Sequence, residues 1–171
     1  MQELAGVFDI QTAKRLYVMA LLRAADADIK NRDIQFAYET SFASEVFPGL
    51  AMSENSISDF LLRTGMEYRY LVEFMRKRAK ISAGRNIVVD GMLKGCNSYV
   101  NTFSEFSRRG TKKGSKDISL IYAYDLETKE PVAVKPYPGN MLDMTSFRDF
   151  ISEIVINRGL LVLDKGFCSK A

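Results

Sequence analysis

Apolar residues recur at helical spacing through the first eighty or so positions. Ala13, Leu16, Tyr17, Ala20, Leu21 and Ala24 stand at i, i+3, i+4, i+7, i+8 and i+11, one stripe of an amphipathic helix over 9–25. Asp9 is placed to cap it. Ile34, Ala37, Tyr38, Phe42 and Val46 repeat the pattern less cleanly over 31–46, until Pro48-Gly49 stops it. Ser53 predicts the cap of a third helix with Ile57, Phe60 and Leu61 inward, ended by Gly65. A fourth runs from about Tyr68 to Lys80 with Leu71, Phe74 and Met75 inward. The pair over 53–80 could form a helix-turn-helix; with no specific signal in its connection, a plain helical hairpin is the simpler expectation.

The period changes at Ser82-Ala83-Gly84. Ile87-Val88-Val89 is a short β-branched run that predicts a buried strand, and Asp90-Gly91 follows directly. Residues 94–117 are polar and read as loop or irregular hairpin. From Ile118 to Asp125 the residues alternate, with Ile118, Leu120, Tyr122 and Tyr124 on one side and Ser119, Ile121, Ala123 and Asp125 on the other. This predicts a strand buried on both faces, one less completely. A polar turn at 127–130 leads to a return strand from Val132 to Lys135, closed by Pro136, Pro138 and Gly139. Asp143 is placed to cap a helix over 144–157, with Phe147, Phe150, Ile151, Ile154 and Val155 inward. Leu160 to Leu163 is another buried strand, and Asp164 comes straight after it. The expected fold is α/β: a helical region over 1–84, then β-β-β-α-β over 85–171. A right-handed crossover can bring the fourth strand beside the first.

Composition narrows the chemistry. The 171 residues include no His and two Cys. Imidazole catalysis and His-ligated zinc or haem are therefore out of reach of this chain alone. Cys96 and Cys168 are too few for a disulfide framework or an all-cysteine zinc site. One disulfide stays open, though two reduced thiols is the plainer reading. The N-terminus lacks a signal peptide's basic flank and apolar run, and apolar runs such as Leu16–Leu22 are far too short to span a bilayer. The expectation is a soluble cytoplasmic protein without a membrane partner. The net charge of +3 hides a basic middle, since residues 62–116 hold 13 basic and 4 acidic side chains. Arg76-Lys77-Arg78 with Lys80, and Arg108-Arg109 with Lys112, Lys113 and Lys116, supply it. A polyanion partner and plain solvated surface are equal readings of charge alone.

Asp90 and Asp164 share a setting. Each follows an apolar run and precedes a Gly by no more than two residues. A carboxylate at the end of a buried strand is costly unless satisfied, and Mg²⁺ or Mn²⁺ satisfies hard oxygen donors well. On spacing alone a turn-forming aspartate is the commoner explanation.

Four motifs in order change that balance. Asn86-Ile-Val-Val-Asp90-Gly91, Lys113-Gly114-Ser115-Lys116-Asp117-Ile118, Pro138-Gly139-Asn140-Met141-Leu142-Asp143 and Leu161-Val162-Leu163-Asp164-Lys165-Gly166-Phe167 together resemble the bacterial insertion-sequence transposases with a DDE active site, of the insertion-sequence-four type. The likeness covers about half the chain, and 50–80 looks compatible with the helical region preceding such cores. It implies a partial ribonuclease H-like mixed sheet in which Asp90 and Asp164 hold catalytic Mg²⁺ (or Mn²⁺). It also implies phosphoryl transfer, with nicking of transposon ends followed by attack of a freed 3′-OH on target DNA. Arg108, Arg109, Lys112, Lys113, Ser115 and Lys116 become phosphate-contact candidates. Asn140 is a turn residue that the motif places at the edge of the active site, and Asp143 remains most simply a helix cap. Tyr99, Phe103 and Phe106 read as a packing face. The setting implied is the bacterial cytoplasm, at the nucleoid.

The family's third acid, a Glu in a Tyr-x2-Arg-x3-Glu-x6-Lys helix, is missing, and no acid follows Asp164. The expectation is therefore a truncated transposase core, inactive alone, with an exposed sheet edge and low stability. Two alternatives stand beside it. One is a ribonuclease H-like nuclease using two carboxylates. The other is a non-catalytic DNA-binding protein that self-associates or joins a full-length transposase in mixed assemblies.

Overall fold

Side chains that cap and break helices set the limits of the N-terminal elements. The structure, a computed structural model, describes residues 1–96, 98, 100–106, 115–141, 143–156 and 161–163, with backbone alone at 143 and 161–163. The chain divides into two units, Met1–Phe74 and Met75–Ala171. The first contains α1 (Gln2–Ala5), α2 (Ile10–Ala25), α3 (Ile34–Glu39), α4 (Ala43–Val46) and α5 (Glu54–Met66). It also contains the start of α6 (Tyr68–Ile81). Asp9 Oδ1 accepts from the amides of Gln11 and Thr12, both at 3.0 Å, and Ser53 Oγ from Ser56 at 3.4 Å. Both caps predicted for this unit are present.

The buried stripe of α2 keeps Ala13 from the predicted one but departs from it further along the helix. Val18, Met19 and Leu22 join Ile34, Tyr38, Met52 and Ile57 in the core, while Ala20, Leu21 and Ala24 face solvent. The helix is apolar on most sides. The stripe with the larger side chains wins because burial scales with apolar area. The single helix expected over 31–46 is broken at Thr40-Ser41. There the Thr40 hydroxyl donates to Phe36 O (2.8 Å) and the Ser41 hydroxyl to Tyr38 O (3.0 Å), giving the backbone an alternative to helix. Phe42 and Val46 are consequently exposed. Gly65 lies inside α5 rather than ending it. Glu67 alone joins α5 to α6, too short a link for a helical hairpin.

The second unit holds β1 (Ile87–Gly95), β2 (Glu105–Phe106), β3 (Lys116–Asp125), β4 (Glu130–Pro138), α7 (Asp143–Ile154) and β5 (Leu161–Leu163). β3 is central. It pairs antiparallel with β1 on one side and with β4 on the other, where β2 adds a short extension. β5 lies parallel to β1, with Ile87, Val88 and Val89 opposite Leu161, Val162 and Leu163. The strand order β4-β3-β1-β5, three antiparallel strands and then a parallel one after a helix, is a partial ribonuclease H-like sheet. The crossover lands where the sequence predicts.

The prolines do not close β4 at Lys135. Val134, Pro136 and Pro138 share one parity, so their backbone nitrogens point to the outer edge. There the Val134 N–H donates to Met75 Sδ (3.4 Å), and the prolines have no N–H to leave unpaired. Arg78 Nη2 donates to Glu130 Oε2 (2.7 Å) and Pro131 O (3.1 Å), and Arg76 Nε to Glu153 O (2.6 Å). Two members of the basic cluster at 76–80 are therefore engaged within the fold, Arg78 at the start of the β4 edge and Arg76 at the backbone of α7. The outer edge of β5 has no partner among the described residues.

α7 decides which face of the sheet is buried. Asp149 accepts from Lys135 Nζ and the Tyr137 hydroxyl, both at 2.7 Å. Those residues pair with Ile121 and Ser119 and share their face. Phe150 and Ile154 are fully buried above it. The covered face of β3 is thus Asp117, Ser119, Ile121, Ala123 and Asp125, and the bulkier face with Leu120, Tyr122 and Tyr124 is only half-buried. Bulky helix side chains fit over small strand residues.

α7 is followed by Val155, whose φ of 62° is strained for a β-branched residue. Val155 is 51% exposed, so little burial is lost on truncation. Val155→Gly is expected to raise stability by about 0.5–1 kcal/mol, read as a higher thermal midpoint. Among the described residues no helix is long and apolar enough to cross a membrane.

Candidate catalytic aspartate and its surroundings

Asp90 does not end its strand. β1 continues five residues further, paired throughout with β3. What stops at Asp90 is burial: Ile87 and Val89 are buried, Asp90 is half-buried, and Gly91 and Met92 are exposed. The described pairing with β5 also stops one residue before it. Asp90 therefore stands on the half-buried Tyr122 face of the sheet, next to residues that are open to solvent.

Its carboxylate is held at both oxygens. The Tyr122 hydroxyl donates to Oδ2 at 2.8 Å and the Gly91 amide to Oδ1 at 2.8 Å. Tyr122 is the cross-strand partner of Asp90. The hydrogen bond to Asp90, then burial, then the carboxylate's charge push its phenol above the ordinary tyrosine range, so it stays a proton donor well into alkali. Among the described residues no Lys or Arg pairs with Asp90. This differs from Asp125, held by Arg85 at 3.0 Å, and Asp149, held by Lys135 at 2.7 Å.

The other predicted positions divide into two groups. Asp164, Arg108, Arg109, Lys112 and Lys113 lie outside the described residues, as does Tyr99. Ser115 is half-buried just before β3, and exposed Lys116 opens that strand with its Nζ 5.7 Å from the Phe106 ring centroid. Phe103 and Phe106 are exposed rather than packed. Asn140 is exposed in the turn after β4, and Asp143 is the first residue of α7. Lys116 is six residues from Tyr122 along β3, roughly 20 Å at strand rise. The Gly139-Asn140 turn sits at the Lys116 end too, because Gly139 lies against the backbones of Asp117 and Glu105. The structure thus separates Ser115, Lys116 and Asn140 from Asp90 along the sheet. Tyr122 was not singled out by the sequence: alternation gave its face, but its partnership with Asp90 depends on register.

No cluster of three or more His, Cys, Asp or Glu that could hold a metal occurs among the described residues. A cavity of about 530 Å³, lined by Arg76, Lys80, Ile87, Val132, Ile154 and Ile156 among others, opens at the start of β1 and does not include Asp90.

No protein-family model matches the chain, and no curated protein matches it in sequence. Among solved structures it is similar to the Mos1 transposase paired-end complex with left transposon end, at 15% identity and a TM-score of 0.27. The alignment covers 82% of this chain and 46% of that one, so this chain spans less than half the length of the structure it matches.

Proposed function

We propose that the chain carries the front part of a DDE-transposase catalytic core of the insertion-sequence-four type, acting on DNA by metal-dependent phosphoryl transfer. One observation carries this reading beyond the motifs. Val89 and Leu163 are paired on adjacent parallel strands, and Asp90 and Asp164 are the next residues of the two strands. Paired backbones are ~4.8 Å apart and each step along a chain is ~3.8 Å. Asp90 therefore lies in the same small region of the sheet as Leu163, the residue that Asp164 follows in sequence.

Asp90 suits a hard divalent cation. It is half-exposed, and each oxygen accepts one neutral donor, leaving a further lone pair on each. In this reading Asp90 and Asp164 hold Mg²⁺ or Mn²⁺, which when bound supplies Lewis-acid polarisation of phosphoryl oxygens. Arg108, Arg109, Lys112, Lys113, Ser115 and Lys116 hold phosphates of transposon-end and target DNA, and Asn140 and Asp143 shape the turn into α7. The same basic positions would let the chain bind DNA, or join a longer transposase copy, without performing chemistry.

Residues 1–171 offer no acid after Asp164, so this chain alone is expected to give no strand transfer. The test is the reading frame that follows codon 171. We expect it to encode the Tyr-Arg-Glu-Lys pattern. We expect the continuous product to nick a transposon end in Mg²⁺, with Asp90→Ala and Asp164→Ala each reducing the rate by ~10³-fold or more. Cleavage that survives either substitution, or a continuous product that does not cleave, would refute the proposal.

A further inference from the structure

We propose that Tyr122 is the positioning residue for Asp90, fixing its carboxylate in an orientation that can receive a divalent cation. This rests on the metal reading above. Three observations lead to it. First, the two hydrogen bonds to Asp90, each 2.8 Å, reach different oxygens and so set the plane of the carboxylate. The Gly91 bond comes from the adjoining residue, so Tyr122 is the tie to a second strand.

Second, both donors are neutral. Two other aspartates of this unit have cations: Arg85 for Asp125, Lys135 for Asp149. A cation at Asp90 would neutralise the charge that an incoming metal needs and would compete for its lone pairs. A phenol orients the carboxylate and leaves its charge intact. Such outer partners typically govern ligand orientation and tune metal affinity.

Third, the site is open on the same face. Val134, the partner of Tyr122 on the far side of β3, is 54% exposed, and Met92, two residues beyond Asp90, is 49% exposed. Tyr122 therefore holds Asp90 at an accessible surface rather than within a closed core.

The test is Mn²⁺ binding to the full 171-residue chain, followed by the loss of the free-ion electron paramagnetic resonance signal. Asp90-dependent binding is expected in the wild type. Tyr122→Phe should weaken it ~10-fold or more while keeping a cooperative melt near the wild-type midpoint. Tyr122→Leu, a second way to remove the hydroxyl, should give at least the same loss. Tyr124→Phe is the control: its hydroxyl bonds Lys129 O, and its affinity should match the wild type. Equal Mn²⁺ affinity in the wild type and Tyr122→Phe would overturn the positioning role and leave the metal reading standing. Wild-type chain that takes up no Mn²⁺, or takes up as much after Asp90→Ala, would overturn the metal reading and the Tyr122 role together.

Discussion

Gly139→Ala is expected to lower the melting temperature of the second unit by ~10–20 °C, corresponding to about 3 kcal/mol in a unit of this size. A β-carbon at Gly139 would stand 2.2 Å from Asp117 O, 2.8 Å from Asp117 C and 2.9 Å from Glu105 O. All three are backbone atoms, so no rotamer change relieves the overlap. The Gly139 amide also donates to Phe103 O at 3.2 Å. The end of β4, the start of β3 and the short β2 meet at this point, and the added methyl must separate them. Gly65→Ala gives the opposite sign. Nothing lies within 4 Å of the β-carbon it would add, and the position is inside α5, where Ala is favoured over Gly by ~0.8–1 kcal/mol. Circular dichroism melts of the two variants check both. A Gly139→Ala midpoint equal to the wild type would show that the close approach does not constrain the fold.

The second large effect lies at Asp125, which is completely buried. Its Oδ2 accepts from Arg85 Nη1 at 3.0 Å, and Oδ1 from the amides of Glu127 (2.9 Å) and Thr128 (3.1 Å). Burial alone would raise its pKa. The Thr128 amide, the Arg85 guanidinium, the Ser82 hydroxyl and the Glu127 amide outweigh burial and hold the carboxyl well below the usual carboxylate range. The residue thus ties the segment before β1 to the β3–β4 turn. Asp125→Asn leaves Arg85 only its longer 4.0 Å contact with Glu127 and sets an amide N–H₂ against donors. The melting temperature at pH 7 should fall on the order of 10 °C.

The acid limb gives a second readout. A carboxyl with a depressed folded pKa stabilises fully above its unfolded value of ~3.9 and loses that contribution as pH falls through the folded value. Wild-type stability should therefore decline from about pH 4–5 downward. Asp125→Asn should decline less, so that the two denaturation midpoints converge in acid. Asp149 is shifted the same way by Lys135 and Tyr137. Its side chain is 49% exposed, so its share is small. Parallel pH profiles for wild type and variant would place the acid sensitivity elsewhere.

Much of the framework is legible in the chain because it depends on neighbours in sequence. Asp9 and Ser53 cap their helices through amides two or three residues away. The run Ile87-Val88-Val89 and the alternation from Ile118 to Asp125 predict strands that exist, and the β-β-β-α-β order follows. Errors arise where local signals compete. Thr40 and Ser41 turn their hydroxyls onto the backbone and break a helix that periodicity continues. Pro136 and Pro138 read as terminators until the strand is known to be an edge, where the missing N–H groups are no loss.

By itself, then, the sequence determined most of the elements, their order, the lack of imidazole chemistry and the two aspartates that follow apolar runs. Those follow from residue type and spacing of a few positions, which act through local dihedral preference and alternation of faces. Only the tertiary structure decided that β1 runs on past Asp90, that α7 covers the small-residue face of β3, and that Tyr122 meets Asp90 rather than Met92 or Val88. Each of those depends on strand register, and register is set by packing among segments thirty or more residues apart. A shift of one residue would turn Tyr122 to the opposite face, and no local pattern in the chain distinguishes the two alignments.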